Sequence, residues 1–503
     1  MAQFAVSFQL LIVLAATFVS ASLSYGIFEK FTDATEELPP EFVTLYYTQT
    51  LDHFNYKPES YETFQQRYIL NSKYWGGPNT SSPIFVYAGA ECNITLVIPP
   101  GGGFMAHLAS RFNALLLYIE HRFYGESNPF GPSSLQNATT LGYLSSAQAL
   151  ADYAQLILDV KKNLSAESSP VIVVGGSYGG MLASWFRLKY PHIVIGALAS
   201  SAPILYFDDI TPQDGFFVVA SKDFKDTSES CYNTIKQSWS EIDKVAAQQN
   251  GLETLRSIFS LCDRLHSVGM LKFILRRVYL YSAQYDNPPY FYVEKVCGAI
   301  NGAPEGTDTL GRIAAGLNAS IFSCHSNPTW KSIVDEDLWL WQVCTELVMP
   351  IGLDNNNTMF EALPFDMNRH VNMCQSIFGI SPRPHWITTE YGGHDIKSVL
   401  GNFASNIIFS NGLRDPFSVG GVLEDISDSV VAIKTEKGAH CLDLYTATPN
   451  DSDWLVAQRE EEINIIAHWI DEYNAKPSND ARNSLFYCNY YLISFFIAIW
   501  LVG

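Results

Sequence analysis

Residues 171–186 read VIVVGGSYGGMLASWF. Four apolar residues, mostly β-branched, run straight into a serine held between glycine pairs and then into a helical pattern. A stretch of this kind has few conformational options. It reads as a strand buried on both faces, a turn of minimal radius, and a helix that packs back on the strand.

Five other short apolar runs bounded by turn residues share its texture: PIFVYAG (83–89), LLLYIEHR (115–122), VIGALASSAP (194–203), NIIFSNG (406–412) and VVAIKTE (430–436). Their hydrophobicity is continuous rather than alternating, as expected for a parallel sheet covered on both sides. Helical patterns such as SSAQALADYAQLILDVKKNL (145–164) fall between them, so the fold class is α/β with crossover helices. From about 206 to 395 the buried-strand runs stop, and helical patterns, tryptophan and cysteine take over. This segment reads as a helical insertion dividing the sheet domain into 35–205 and 396–476, placed over the strand ends where such sheets bind ligands.

With 503 residues, 47% of them hydrophobic, the chain can bury a large core. Its net charge of −20 argues against nucleic acid or anionic lipid as a partner. The start, 1–21, has an apolar stretch followed by Ser20, Ala21 and Ser22, and reads as a secretory signal peptide without a basic leader. Sequons at Asn79, Asn93, Asn137, Asn163, Asn318, Asn356 and Asn450 add up to a glycosylated lumenal protein. The hydrophobic tail 485–503 is open between a membrane span, a lipid-anchor signal and a packed segment. Nine cysteines in a lumenal chain should mostly pair, and six of them lie in the insertion. There is no C-x-x-C pair, hence no zinc ribbon or thioredoxin-type motif.

Gly175 to Gly179 match G-x-S-x-G, the nucleophile elbow, which lifts a serine hydroxyl above the sheet. A glycine-rich strand–helix turn without chemistry is the plainer reading, but the strand before and the helix after are the context the motif requires. A serine needs a base, and the base a carboxylate, in the chain order Ser, Asp or Glu, His. His440 follows VVAIKTEKG and Asp415 follows NIIFSNGLR, each just past a strand. His468 sits within a helical pattern, and Asp425 and Asp428 precede a strand rather than follow one. The candidate triad is therefore Ser177, Asp415 and His440. Backbone donors for the oxyanion are expected from Tyr178 and from Gly89 or Ala90, in the loop after IFVYA. Gly101–Gly103 follows no strand and reads as a flexible turn.

GGSYGGML, IEHRFYGES, PRPHWITTEYGG, SNGLRDPFSVGG and GAHCLDL, in the right order between about residues 42 and 473, resemble the serine carboxypeptidase family of lysosomal Pro-X carboxypeptidase and dipeptidyl peptidase II. The resemblance implies an α/β-hydrolase domain with a helical, disulfide-bonded cap, and exopeptidase cleavage of peptides beside proline. It places nucleophile, acid and base at Ser177, Asp415 and His440. It implies disulfides Cys231–Cys297, Cys262–Cys324 and Cys344–Cys374, and a proline pocket built from Met181, Met349 and Phe417, with Trp341 a weaker candidate. Met and aromatic residues at such positions equally serve as core. Cys441 stands where the family usually has a second histidine, and Cys92 where it often has glycine.

The reading that follows is a serine exopeptidase needing no metal or organic cofactor. It acts in a lysosomal or vacuolar lumen or outside the cell, membrane-anchored if the tail serves as an anchor, with a homodimer as the family-implied assembly. Release of a C-terminal residue after proline is the first expectation. Removal of N-terminal X-Pro or X-Ala dipeptides is the alternative, with an esterase or an inactive hydrolase used for binding behind it.

Overall fold

The computed structural model describes residues 38–322, 334–354, 357–392 and 394–475. The expected leader 1–21, the tail 485–503, Cys324 and Asn356 all lie outside the described residues.

Eight strands form one sheet: β1 (Val43–Thr50), β2 (Thr63–Asn71), β3 (Ile84–Ala88), β4 (Leu115–Ile119), β5 (Val171–Gly176), β6 (Gly196–Ser200), β7 (Ile407–Gly412) and β8 (Val430–Thr435). Their spatial order is β1-β2-β4-β3-β5-β6-β7-β8, antiparallel at β1/β2 and β2/β4 and parallel thereafter. All six apolar runs became β3 to β8. Every residue of β3, β4, β6 and β7 is buried, which is why their sequences do not alternate. β1 and β2, by contrast, carry mixed polar patterns such as VTLYYTQT, with partly exposed positions that suit an antiparallel edge.

Side chains of β3 divide between two cores. Ile84, Val86 and Ala88 pack with the helices α2 (Ser146–Asn163) and α3 (Tyr178–Lys189), whereas Phe85 and Tyr87 pack with α1 (Gly103–Phe112) and the C-terminal helix Asp453–Ala475. From β3 the chain steps to β4 on one side, then crosses to β5 on the other. The gap between the C-terminal ends of β3 and β5 is thus the point where the winding reverses, the usual ligand crevice of open α/β sheets.

Between β6 and β7 the chain leaves the sheet for a run of helices, including Gly215–Thr227, Glu229–Ala246, Val268–Gln284, Tyr292–Asn301, Val334–Thr345 and Met367–Phe378. Two disulfides join them pairwise. Cys231–Cys297 links Glu229–Ala246 to Tyr292–Asn301, and Cys344–Cys374 links Val334–Thr345 to Met367–Phe378. No described helix is long and apolar enough to cross a membrane.

Candidate active site

Ser177 lies directly after β5 with φ 56° and ψ −125°, a left-handed backbone rarely tolerated by a non-glycine residue. Its amide donates to the Ser200 carbonyl at the end of β6, 2.9 Å away. The crowding of glycine has a steric cause. A Cβ on Gly175 would sit 2.1 Å from the Gly179 carbonyl oxygen, and one on Gly176 would sit 2.8 Å from the Cys441 sulfur. The turn is so tight that the helix after it touches the strand before it.

Asp415 follows β7. Pro416 starts a short 3₁₀ turn behind it, and the Asp415 Oδ1 caps that turn by accepting from the Phe417 amide at 3.0 Å. The other oxygen, Oδ2, is 2.5 Å from His440 Nδ1. Both residues are fully buried. Burial pulls the proton off the imidazole and the Asp415 carboxylate holds it on. The second effect prevails, leaving His440 well above the ordinary histidine range.

His440 follows β8, its ring between Tyr285 at 5.6 Å and Phe417 at 5.9 Å between centroids. Its Nε2 is buried and makes no hydrogen bond among the described residues, so the Ser177 hydroxyl is not bonded to it in this conformation. Bonds of this kind are often long in uncomplexed sites and tighten when substrate arrives. The next residue, Cys441, has φ 54°, donates its amide to Ser201 Oγ at 2.8 Å, and lies against Gly176. The loop after β8 is thereby seated on the ends of β5 and β6.

A cavity at the winding reversal is lined by Ala90, Glu91 and Cys92 from the β3 end, by Gly176 and Ser177 from the β5 end, and by Cys441, Leu444 and Tyr445. Tyr178 begins α3, so its amide belongs to the helix N-terminus directly after Ser177, which lines this cavity. The Gly89 amide does not serve there: it donates to the Ile119 carbonyl at 2.9 Å as part of the sheet. This leaves Ala90, whose residue does line the cavity, as the second backbone candidate. Gly102 and Gly103 also form its wall, so the triglycine read as a flexible turn is a fitted part of the site.

The four residues expected to bind proline do not line this cavity. Met181, Met349, Trp341 and Phe417 are buried in the main core. Of these, Phe417 approaches the reacting groups, through its ring contact with His440. From sequence, a buried methionine and a pocket methionine look alike.

IEHRFYGES turns out to be a brace. The Arg67 guanidinium pairs with Glu120, and Glu120 also accepts from the Ile94 amide at 3.0 Å and Ser127 Oγ at 2.7 Å. Arg122, the bulkiest fully buried side chain, binds both oxygens of Asp152 at 2.6 and 2.7 Å. His121 Nδ1 donates to the Arg122 carbonyl at 2.7 Å, which leaves Nε2 to accept from Tyr178 OH at 3.2 Å. Burial pushes the His121 imidazole down to about 4, so it stays neutral in this role. Tyr178 OH in turn accepts from Gln342 Nε2 at 2.9 Å, which carries the network into the cap. There Glu346 accepts from the Ser146 amide and hydroxyl at 2.8 Å each. Burial raises the Glu346 carboxyl to about 7.

Among the expected sequons, Asn79, Asn137, Asn163, Asn318 and Asn450 are exposed. Asn93 is half-buried, and its Oδ1 accepts from the Thr95 amide at 3.0 Å and from Arg67 at 2.5 Å. The rival base His468 sits on the exposed face of the last helix beside Glu472.

A strained serine at the winding reversal, and an Asp–His pair after the parallel strands β7 and β8 of the same mixed sheet, define a serine hydrolase of the α/β-hydrolase fold. The chain belongs to the serine carboxypeptidase S28 family, whose pattern it matches over residues 49–462, and it is a serine-type peptidase. It is 38% identical to mouse (Mus musculus) lysosomal Pro-X carboxypeptidase over 461 residues, covering 86% of this chain and 90% of that one. The human (Homo sapiens) enzyme of the same name is 37% identical, covering 86% and 89%. Human thymus-specific serine protease is 29% identical, covering 84% and 85%.

Proposed function

We propose that this chain is a Pro-X carboxypeptidase, releasing the C-terminal residue that follows a penultimate proline, with Ser177 as nucleophile, His440 as base and Asp415 as the carboxylate that orients it. The observation that carries the assignment of roles is the 2.5 Å contact between Asp415 Oδ2 and His440 Nδ1, after β7 and β8 of the sheet whose β5 ends at the strained serine. With Nδ1 engaged by Asp415, Nε2 of the neutral imidazole, the form left once His440 gives up its strongly held proton, takes the Ser177 proton as the hydroxyl attacks the prolyl carbonyl. Asp415 then stabilises the imidazolium. The Tyr178 and Ala90 amides hold the tetrahedral oxyanion at the start of α3. The imidazolium protonates the leaving amine, and water repeats the sequence to free the acyl-enzyme.

Specificity for proline follows from what its ring removes. With no amide N–H and a fixed φ, proline fails in clefts that pair with that N–H and suits an apolar one that does not. The names of the mouse and human relatives support this choice over removal of N-terminal dipeptides. The relatives' lysosomal designation and the exposed sequons support a lumenal, glycosylated enzyme. Attachment through residues 485–503 and a homodimer are part of the same proposal.

The test is hydrolysis of a blocked Pro-Phe peptide against an X-Pro amide, together with labelling by a fluorophosphonate. Release of Phe, and labelling lost in Ser177→Ala, are expected. Cleavage of the X-Pro amide alone would reverse the assignment in favour of a dipeptidyl peptidase.

A further inference from the structure

One carboxyl group in the cavity has no part in the mechanism above. Glu91 stands in the loop after β3, across the winding reversal from Ser177, and lines the same cavity. It is only 8% exposed, and its Oε2 is buried without a hydrogen-bond partner among the described residues. A buried, unpartnered carboxyl oxygen is costly, and a fold keeps one where a ligand will satisfy it. The loop is not loose. The Gly89 amide is fixed to Ile119, the Ile94 amide to Glu120, and the Asn93 side chain to Arg67.

Resting on the carboxypeptidase reading, we infer that Glu91 binds the free terminal carboxylate of the peptide, acting as a neutral hydrogen-bond donor. The departing residue brings a negative charge into the site, yet no lysine or arginine is among the residues lining this cavity. A carboxylate there must be held by N–H and O–H donors. A protonated Glu91 supplies an O–H···O⁻ bond, the strong charge-assisted kind. An ionised Glu91 would instead repel the substrate.

The titratable and charged groups facing Glu91 are Tyr87 on β3, Tyr285 at the end of helix Val268–Gln284, Cys92 beside it, Cys441 and Tyr445 in the loop after β8, and His440 with Asp415 behind it. Burial dominates and raises the Glu91 carboxyl to about 7, opposed by its own backbone amide and by His440. A bound carboxylate would add like charge and raise it further. Below about pH 7 the donor is present; above it the donor is lost. An N-terminal ammonium would show the reverse preference, so Glu91 also separates the two exopeptidase classes.

The experiment uses the full-length enzyme and a blocked Pro-Phe peptide with a free carboxylate, beside its C-terminal amide, from pH 5 to 8.5. KM is read for each, or Ki where the amide is not turned over. The expected result is a KM for the acid that rises about tenfold per pH unit above about 7, with a flat value for the amide. Glu91→Gln keeps a donor and flattens the profile for the acid. Glu91→Leu raises the acid's KM at pH 5 at least tenfold, with kcat changed less than threefold. An acid-to-amide ratio independent of pH in the wild type, or an unchanged profile in Glu91→Gln, overturns the role of Glu91 while the carboxypeptidase reading stands. A wild type that cleaves only X-Pro amides overturns both. The wild-type profile alone decides the matter if a variant fails to fold.

Discussion

The backbone amide of His440 donates to the carbonyl of Gln284, 2.9 Å away. Gln284 ends the cap helix Val268–Gln284, so the imidazole is fastened to the cap as well as to the sheet. That helix is joined to Glu229–Ala246 through Lys272 and Asp243, and Glu229–Ala246 is joined through Cys231 to Cys297. The cap thus bears directly on where the proposed base sits.

Removing the Cys231–Cys297 bridge with alanine at both positions should therefore lower kcat as well as stability. In the chain-entropy account, a bridge across a separation of 66 residues contributes roughly 4 kcal/mol. Thermal melting and steady-state kinetics on the double variant check both halves. A melting loss with kcat unchanged would show that the base does not depend on the cap.

Gly176→Ala should reduce kcat/KM at least tenfold, because the new methyl meets the Cys441 sulfur at 2.8 Å and displaces the residue next to His440. Adding Cys441→Ala removes the sulfur and should restore most of the activity. Gly175→Ala should not be rescued by any side-chain change, since its clash is with the Gly179 backbone at 2.1 Å.

Tyr178→Phe should destabilise the fold by about 1–3 kcal/mol, because it strips a partner from His121 and from Gln342, both buried. Denaturant unfolding of Tyr178→Phe, Gln342→Leu and the double variant should give a non-additive cycle, the mark of one shared network.

The protein should melt at a higher temperature near pH 5.5 than at pH 8. Burial raises Glu91 and Glu346 to about 7 and Asp223 to about 8. A carboxyl raised on folding contributes stability that is complete below its unfolded value and vanishes as pH climbs through the folded one. The loss therefore falls between about pH 4 and 8, on the order of 1.4 kcal/mol per pH unit crossed by each group. His121, lowered to about 4, works against this below its ordinary value of 6.5. Glu346→Gln should shrink the difference, as read by melting curves at the two pH values.

Much of the sheet was legible because strands buried on both faces announce themselves by continuous apolar runs. β1 and β2 were not, since antiparallel strands with partly exposed, polar positions carry no such signature. Ser177, Asp415 and His440 could be read as candidates from chain order and position after a strand. Glu91 carries no such signal in the sequence, because a carboxyl becomes significant only once its burial is known. The charges of IEHRFYGES are spent on buried pairs that residues as distant as Arg67 and Asp152 complete, which no local pattern reveals. Met181, Met349 and Trp341 show the opposite difficulty: hydrophobic character cannot say whether a side chain faces a crevice or a core.

Because the helical insertion separates β6 from β7, Ser177 precedes it in the chain while Asp415 and His440 come after it. A ribosome delivering this polypeptide makes the proposed nucleophile before the insertion and its proposed partners only after it. A growing chain thus holds a hydroxyl with no base, and proteolytic competence waits until the insertion and β8 have both been made. The order of segments is itself a safeguard for the newborn enzyme and its neighbours.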